Sequence, residues 1–294
     1  MFVKAIETAS QFTRPIHSIF RYYKSQEVHP GAATMFFINN EGWALTCKHV
    51  AQWIMAGDNL IKQRQSYQAD FDLMKGSKKE KHIIRELDQK YKLNKSTIFE
   101  LRHLFVSCIE GNLSCDIKMH PNLDIALLHF KDYTKLLCTT FPVFLKDTSI
   151  LQQGKFLCRL GFPFPEFTNF EYISAQDTIG WTQVGQQATP RFPIEGMLTR
   201  HLADANKQVI GFELSTPGLK GQSGGPAFDA DGKVCGMQSA TNHLDLDFDI
   251  NKEVLRNGEK KHIQDSAFLH VGHCIHVDAL KAFMQQERVA FQEG

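Results

Sequence analysis

The sequence predicts an all-β fold, a sandwich or a pair of barrels, on two observations. Short runs of strand-forming residues recur at 123–130, 142–145, 155–161, 194–200, 209–215, 226–228, 233–239 and 267–277, each punctuated by Gly, Pro, Asn or Asp. The runs follow one another directly, without the regular alternation of strand and helix that βαβ units require. At 294 residues the chain can bury one large core or two compact ones.

Taken in order, the elements begin with an N-terminal arm. Val3, Ile6, Phe12, Ile16, Ile19, Phe20 and Tyr23 recur at mostly helical spacing, which predicts short helical stretches over 3–24 lying on the body. The basic residues there form no clean face, so the arm reads as a docking element and not as a membrane-surface helix. From His29-Pro30 the texture changes. Ala33 to Ile38 is a strand run, Asn39-Asn40-Glu41-Gly42 is turn chemistry, and Trp43 to Thr46 is a second strand, together a hairpin. Two stretches break the rhythm that follows. Over 58–112, Ile83, Ile84, Leu87, Tyr91 and Leu93 fall at helical intervals behind a Lys-rich run (75–81), and Ser96 to Leu101 reads as the start of another short helix. Residues 242–266 read as a long acidic loop. A C-terminal helix follows the last strand.

Composition narrows the function class. Lys+Arg of 33 against Asp+Glu of 32 gives a formal net charge of +1, so no field favours nucleic acid or an anionic membrane. No run of about 18 or more apolar residues predicts a membrane span. The N-terminus lacks an apolar core behind a basic start, which predicts a leaderless, cytoplasmic protein, with leaderless export as the other route. Seven cysteines, odd in number and without a C-x-x-C pair, predict free thiols.

The chemistry concentrates in three places. In Gly221-Gln222-Ser223-Gly224-Gly225-Pro226 a serine is flanked by glycines between two strands. Gly221 can adopt dihedrals that set its N–H beside that of Ser223, and two such donors make an oxyanion hole. A serine hydroxyl needs a base to take its proton. His49, at the end of the first hairpin, is the candidate. The base in turn needs a carboxylate to hold its tautomer, and Asp124 stands at the head of the apolar strand Ile125-Ala126-Leu127-Leu128.

In this combination the chain resembles the trypsin-like, chymotrypsin-fold serine proteases, and most of all their bacterial HtrA-type branch. The resemblance is carried by the hairpin ending in Thr46-Cys47-Lys48-His49-Val50, by Leu123-Asp124-Ile125-Ala126-Leu127-Leu128, by Gly221 to Pro226, and by the following Gly232-Lys233-Val234-Cys235-Gly236-Met237. It implies two six-stranded antiparallel β-barrels. With it the chain divides into an arm (1–29), a first barrel interrupted by a helical insertion (30–148), and a second barrel with the C-terminal helix (149–294). It also implies a primary specificity pocket among Pro217, Gln238, Ser239, Thr241, Gly272 and His273. Pro217 stands where trypsin-like pockets carry a carboxylate, so an uncharged primary preference is expected. Two departures stand out. Asp124 lies 75 residues after His49, which makes 58–112 an insertion, and Gln222 replaces the aspartate that captures a new N-terminus in digestive members.

Other candidates are weaker. His270, His273, His276 and Cys274 suggest zinc, yet residues three apart on a strand face opposite ways, so no metal is expected. Asp245, Asp247 and Asp249 lack the glycine and glutamate of a calcium loop. The expectation is a serine endopeptidase needing no cofactor, acting on protein or peptide substrates through His49, Asp124 and Ser223. A regulatory partner would act through the insertion or the arm. The rival readings are a binding protein with an occluded protease site and an esterase using the same machinery.

Overall fold

Two large, mainly antiparallel sheets and a separate two-stranded hairpin make up the computed structural model, which describes residues 1–256 and 258–294. Helix α1 (Val3–Phe12) packs Ala5, Ala9 and Phe12 onto the body and leads without a break into β1 (Thr13–Tyr22). The helical reading of 3–24 therefore holds only for its first half. β1 has buried residues on both faces, so it lacks the alternation that marks a half-exposed strand. It pairs antiparallel with β2 (His29–Phe37), which turns through Gly42 into β3 (Trp43–Thr46).

Helix α2 (Lys48–Met74) starts one residue after the buried Cys47, held to the body by Val50, Ala51 and Ile54, and α3 (Glu80–Lys90) folds back beside it. The insertion is shorter than 58–112. Ile98–Phe105 is β4, paired with β1, and Ile109–Met119 is β5, paired with β6 (Ala126–Leu136). The residues expected to open a helix at Ser96 to Leu101 instead enter the sheet, because Phe99 and Leu101 are buried in strand positions. The first sheet runs β4-β1-β2-β3-β6-β5.

The second half comprises β7 (Val143–Phe144), β8 (Phe156–Gly161), the β9 (Phe170–Ile173) and β10 (Thr178–Trp181) hairpin, β11 (Phe192–Ala203), β12 (Val209–Leu214), β13 (Pro226–Phe228), β14 (Val234–Arg256) and β15 (Glu259–His276). β13 pairs with both β8 and β14, so β13-β8-β11-β12-β15-β14 closes into a six-stranded barrel. Helix α4 (Val277–Gln286) follows, and β16 (Gln292–Glu293) adds to β7 in parallel.

The expected loop at 242–266 is a correction. β14 and β15 continue as a two-stranded ribbon paired from Asn242 with Val271 out to Arg256 with Glu259. Asn257, within that stretch, lies outside the described residues. All seven cysteines are free, and all but Cys115 are buried. Among the described residues no helix is long and apolar enough to cross a membrane.

Candidate active site

His49 occupies the first turn of α2, and Asp124 lies two residues ahead of β6. β3 and β6 are paired, Thr46 opposite Ala126, so the ends of adjacent strands present both side chains together. His49 Nδ1 stands 2.8 Å from Asp124 Oδ2, and the His49 backbone N–H donates to Asp124 Oδ1 at 3.0 Å. A third donor was not foreseen: Ser239 Oγ gives a 2.6 Å hydrogen bond to Asp124 Oδ2. Burial raises the Asp124 pKa, but the bonds from His49 and Ser239 outweigh it and hold the carboxyl below the ordinary range. The acid stays ionised and fixes Nδ1 as the imidazole's donor, leaving Nε2 as a base.

Ser223 arrives from the other barrel, three residues before β13. Its loop is tied to β2 by Thr34, whose N–H donates to Ser223 O at 3.0 Å and whose Oγ1 donates to Gly221 O at 2.7 Å. Gly221 has φ +102, a conformation strained for any residue with a Cβ. Among the described residues neither the Gly221 nor the Ser223 N–H is taken by a hydrogen-bond partner. Ser223 Oγ donates to Ser239 O at 3.2 Å and makes no hydrogen bond to His49. His49, Gly221 and Ser223 share one cleft of about 550 Å³, walled by Trp53, Pro163 and Pro165.

On the other side of Ser223 a cavity of about 470 Å³ is lined by Pro217, Gln238, Ser239 and Thr241, four of the six expected pocket residues. Gly218, Leu219, Lys220, Ala240, His243 and His270 also line it. Gly272 and His273 are not among the lining residues. His273 lies in register between Glu213 and Ala240 on the neighbouring strands, and Gly272 is packed against Arg159. The histidines weighed as zinc ligands also disperse: His270 Nδ1 meets His243 Nδ1 at 2.6 Å, while His276 caps α4. Cys47 Sγ lies close to His49 and Asp124. Burial, reinforced by the Asp124 charge, pushes that thiol well up, so it stays protonated and donates to Gln238 O at 3.2 Å.

The family model for the trypsin-like peptidase domain matches residues 33–237, a span that includes His49, Asp124 and Ser223. The chain belongs to the trypsin-like peptidase family. As a trypsin-like serine protease it has the double-barrel fold of solved members. The HtrA-type protease AlgW with a decapeptide superposes with a TM-score of 0.51 at 12% identity, covering 97% of this chain and 67% of that one. A second AlgW structure, with a tripeptide, gives 0.45 at 11% identity, covering 97% and 63%. This trypsin-like peptidase thus spans about two thirds of the length of those two chains. No curated protein matches it in sequence.

Proposed function

We propose that the protein is a serine endopeptidase acting on protein or peptide substrates through an acyl-enzyme. Ser223 attacks the carbonyl, His49 Nε2 takes its proton and returns it to the leaving amine, and Asp124 holds His49 and stabilises its cation. The free N–H groups of Gly221 and Ser223 receive the oxyanion. The observation that supports this best is the Asp124 carboxylate, held by three donors, two of them from His49, which itself lines the cleft that also contains Ser223. Engagement of the base requires Ser223 Oγ to rotate from Ser239 O toward His49, a rearrangement common when a nucleophile meets its substrate. Among the residues lining the adjoining pocket there is no carboxylate, so Lys and Arg are excluded on the acyl side. Control by a partner is assigned to α3 and the outer part of α2, which stand outside the sheet.

A fluorophosphonate probe is expected to label wild-type protein and not Ser223→Ala. With a cleaved peptide, Ser223→Ala and His49→Ala should each lower kcat on the order of 10⁶-fold. Asp124→Asn should lower it by about 10⁴-fold through loss of the correct tautomer. Wild-type turnover by Ser223→Ala would end the reading.

A further inference from the structure

We propose that the primary pocket beside Ser223 accepts an acidic side chain, with the buried guanidinium of Arg159 as its counter-charge. The inference rests on the endopeptidase reading above. It replaces the uncharged preference read from Pro217, which left Arg159 out.

Arg159 is fully buried in β8, opposite Ala227 of β13. Its Nη1 donates to Gln238 Oε1 at 2.6 Å. Its Nη2 donates to Thr216 Oγ1 at 2.5 Å, Thr216 O at 3.0 Å and Pro217 O at 3.2 Å. Every one of these acceptors is neutral. Its Nε has no partner. Among the described residues no carboxylate pairs with it, although a guanidinium sealed from water ordinarily demands one. Burial accordingly presses its pKa downward. A cation kept in the interior without an anion is a cation whose anion arrives from outside.

The place of that charge says what the anion is. Pro217 and Gln238, both bonded to the guanidinium, line the pocket that opens beside Ser223. A Cβ built on Gly272 would fall 2.0 Å from Arg159 Nη1, so the arginine occupies the space that a side chain at Gly272 would fill. Arg159 also orients the Gln238 amide: with Oε1 taken by the guanidinium, Nε2 donates to Ala240 O at 2.6 Å, and its second hydrogen has no partner among the described residues. Nε2 lies 2.1 Å from where a Gly218 Cβ would stand, so the absence of a side chain there makes room for the amide at the pocket wall. The pocket thus offers an amide donor backed by a positive charge, with Lys220, His243 and His270 as its other ionisable lining and no acid. Such a surface binds a carboxylate and repels an ammonium or guanidinium.

Glutamate and glutamine have nearly the same shape, so their ratio isolates the charge. Internally quenched peptides carrying Glu, Asp, Gln, Leu or Lys on the acyl side would be assayed alongside fluorophosphonate labelling. Glu is expected to exceed Gln in kcat/KM by about tenfold or more, equivalent to about 1.4 kcal/mol, and Lys should not be cleaved. Arg159→Met should bring the Glu/Gln ratio close to one, and Arg159→Lys should retain part of it, which a purely structural role for the residue would not do. Gln or Leu cleaved as fast as Glu by labelled wild-type protein overturns this proposal and leaves the serine reading intact, whereas absence of labelling overturns both. An unchanged ratio in folded Arg159→Met also overturns it. Should Arg159→Met not fold, the wild-type ratio and Arg159→Lys decide.

Discussion

Glu100 and Arg159 are both charged side chains shut inside a barrel, and they are held in opposite ways. Glu100, in β4 of the first sheet, receives Arg21 Nε at 2.9 Å, Arg64 Nη1 at 2.8 Å and Arg102 Nη2 at 3.1 Å, with Thr178 Oγ1 and the Ile179 N–H filling its remaining lone pairs. Arg159, in the second barrel, has neutral oxygens only. The first is a buried ion network fastening the inner part of α2, through Arg64, to β4 and to the start of β10. The second would be a defect if the fold were its only purpose. The difference separates charge used to build from charge kept in reserve.

The largest expected effect comes from breaking the compensated centre. Glu100→Leu leaves the buried Arg21 with only the exposed Asp177 carboxylate, and Arg64 and Arg102 without the Glu100 anion, and should cost about 3–5 kcal/mol, read as a lowered urea midpoint. A loss below 1 kcal/mol would show the network to be ornamental. A third way of handling burial is to stay neutral. His17 is fully buried, stacked on Phe167 with ring centroids 4.0 Å apart and hydrogen-bonded to Thr189 Oγ1 at 2.8 Å. Burial pushes its pKa down to about 4. The folded-state value lies below the unfolded one, so the stability it contributes is complete above about pH 6.5 and is lost as pH falls toward 4, up to about 3 kcal/mol. His17→Gln should flatten the dependence of unfolding free energy on pH across that window. An unaltered slope would place the titration elsewhere. The smallest effect is expected at Arg159. Arg159→Met removes a charge that no anion compensates, which offsets part of the cost of leaving its neutral acceptors without a donor, so the loss should stay near about 1–2 kcal/mol, below the Glu100→Leu loss. A loss as large as that at Glu100 would erase the distinction between the two centres.

Much of the fold is legible in the sequence. The hairpin over 33–46 and the strands at 143–144, 156–161, 209–214 and 226–228 fall within the runs that turn chemistry and alternation mark, whereas the β9–β10 hairpin falls where the sequence reading places no strand. His49 and Asp124 stand out in the sequence because each lies at the end of an apolar strand, where a polar side chain needs a reason. The same reasoning applies to Arg159 within Phe156-Leu157-Cys158-Arg159-Leu160-Gly161, a charged residue in an otherwise apolar strand. β1 escaped because a strand buried on both faces has no period of two, and Ile16, Ile19, Phe20 and Tyr23 imitate a helical face. The ribbon escaped for the opposite reason. His243-Leu244-Asp245-Leu246-Asp247-Phe248-Asp249-Ile250 does alternate, yet its acidic half suggested a solvated loop, and only pairing with β15 shows both faces to be largely exposed. Ser239 as a third donor to Asp124 had no local signal. That contact joins residues 115 apart from the two barrels.

Thr34 has a consequence in time. Its N–H and hydroxyl hold the Ser223 loop, its hydroxyl accepts the Phe162 N–H at 3.1 Å, and its carbonyl accepts Thr46 Oγ1 at 2.8 Å. A single β2 residue therefore clasps the nucleophile loop, β8 and the strand leading to His49. During synthesis Thr46 becomes available to that clasp 12 residues after Thr34, the Phe162 N–H 128 residues after it, and Gly221 only 187 residues after it. The Ser239 hydroxyl that steadies Asp124 comes later still. The parts of the site on β2, β3 and β6 are therefore made well before the segments of the second barrel to which they bond.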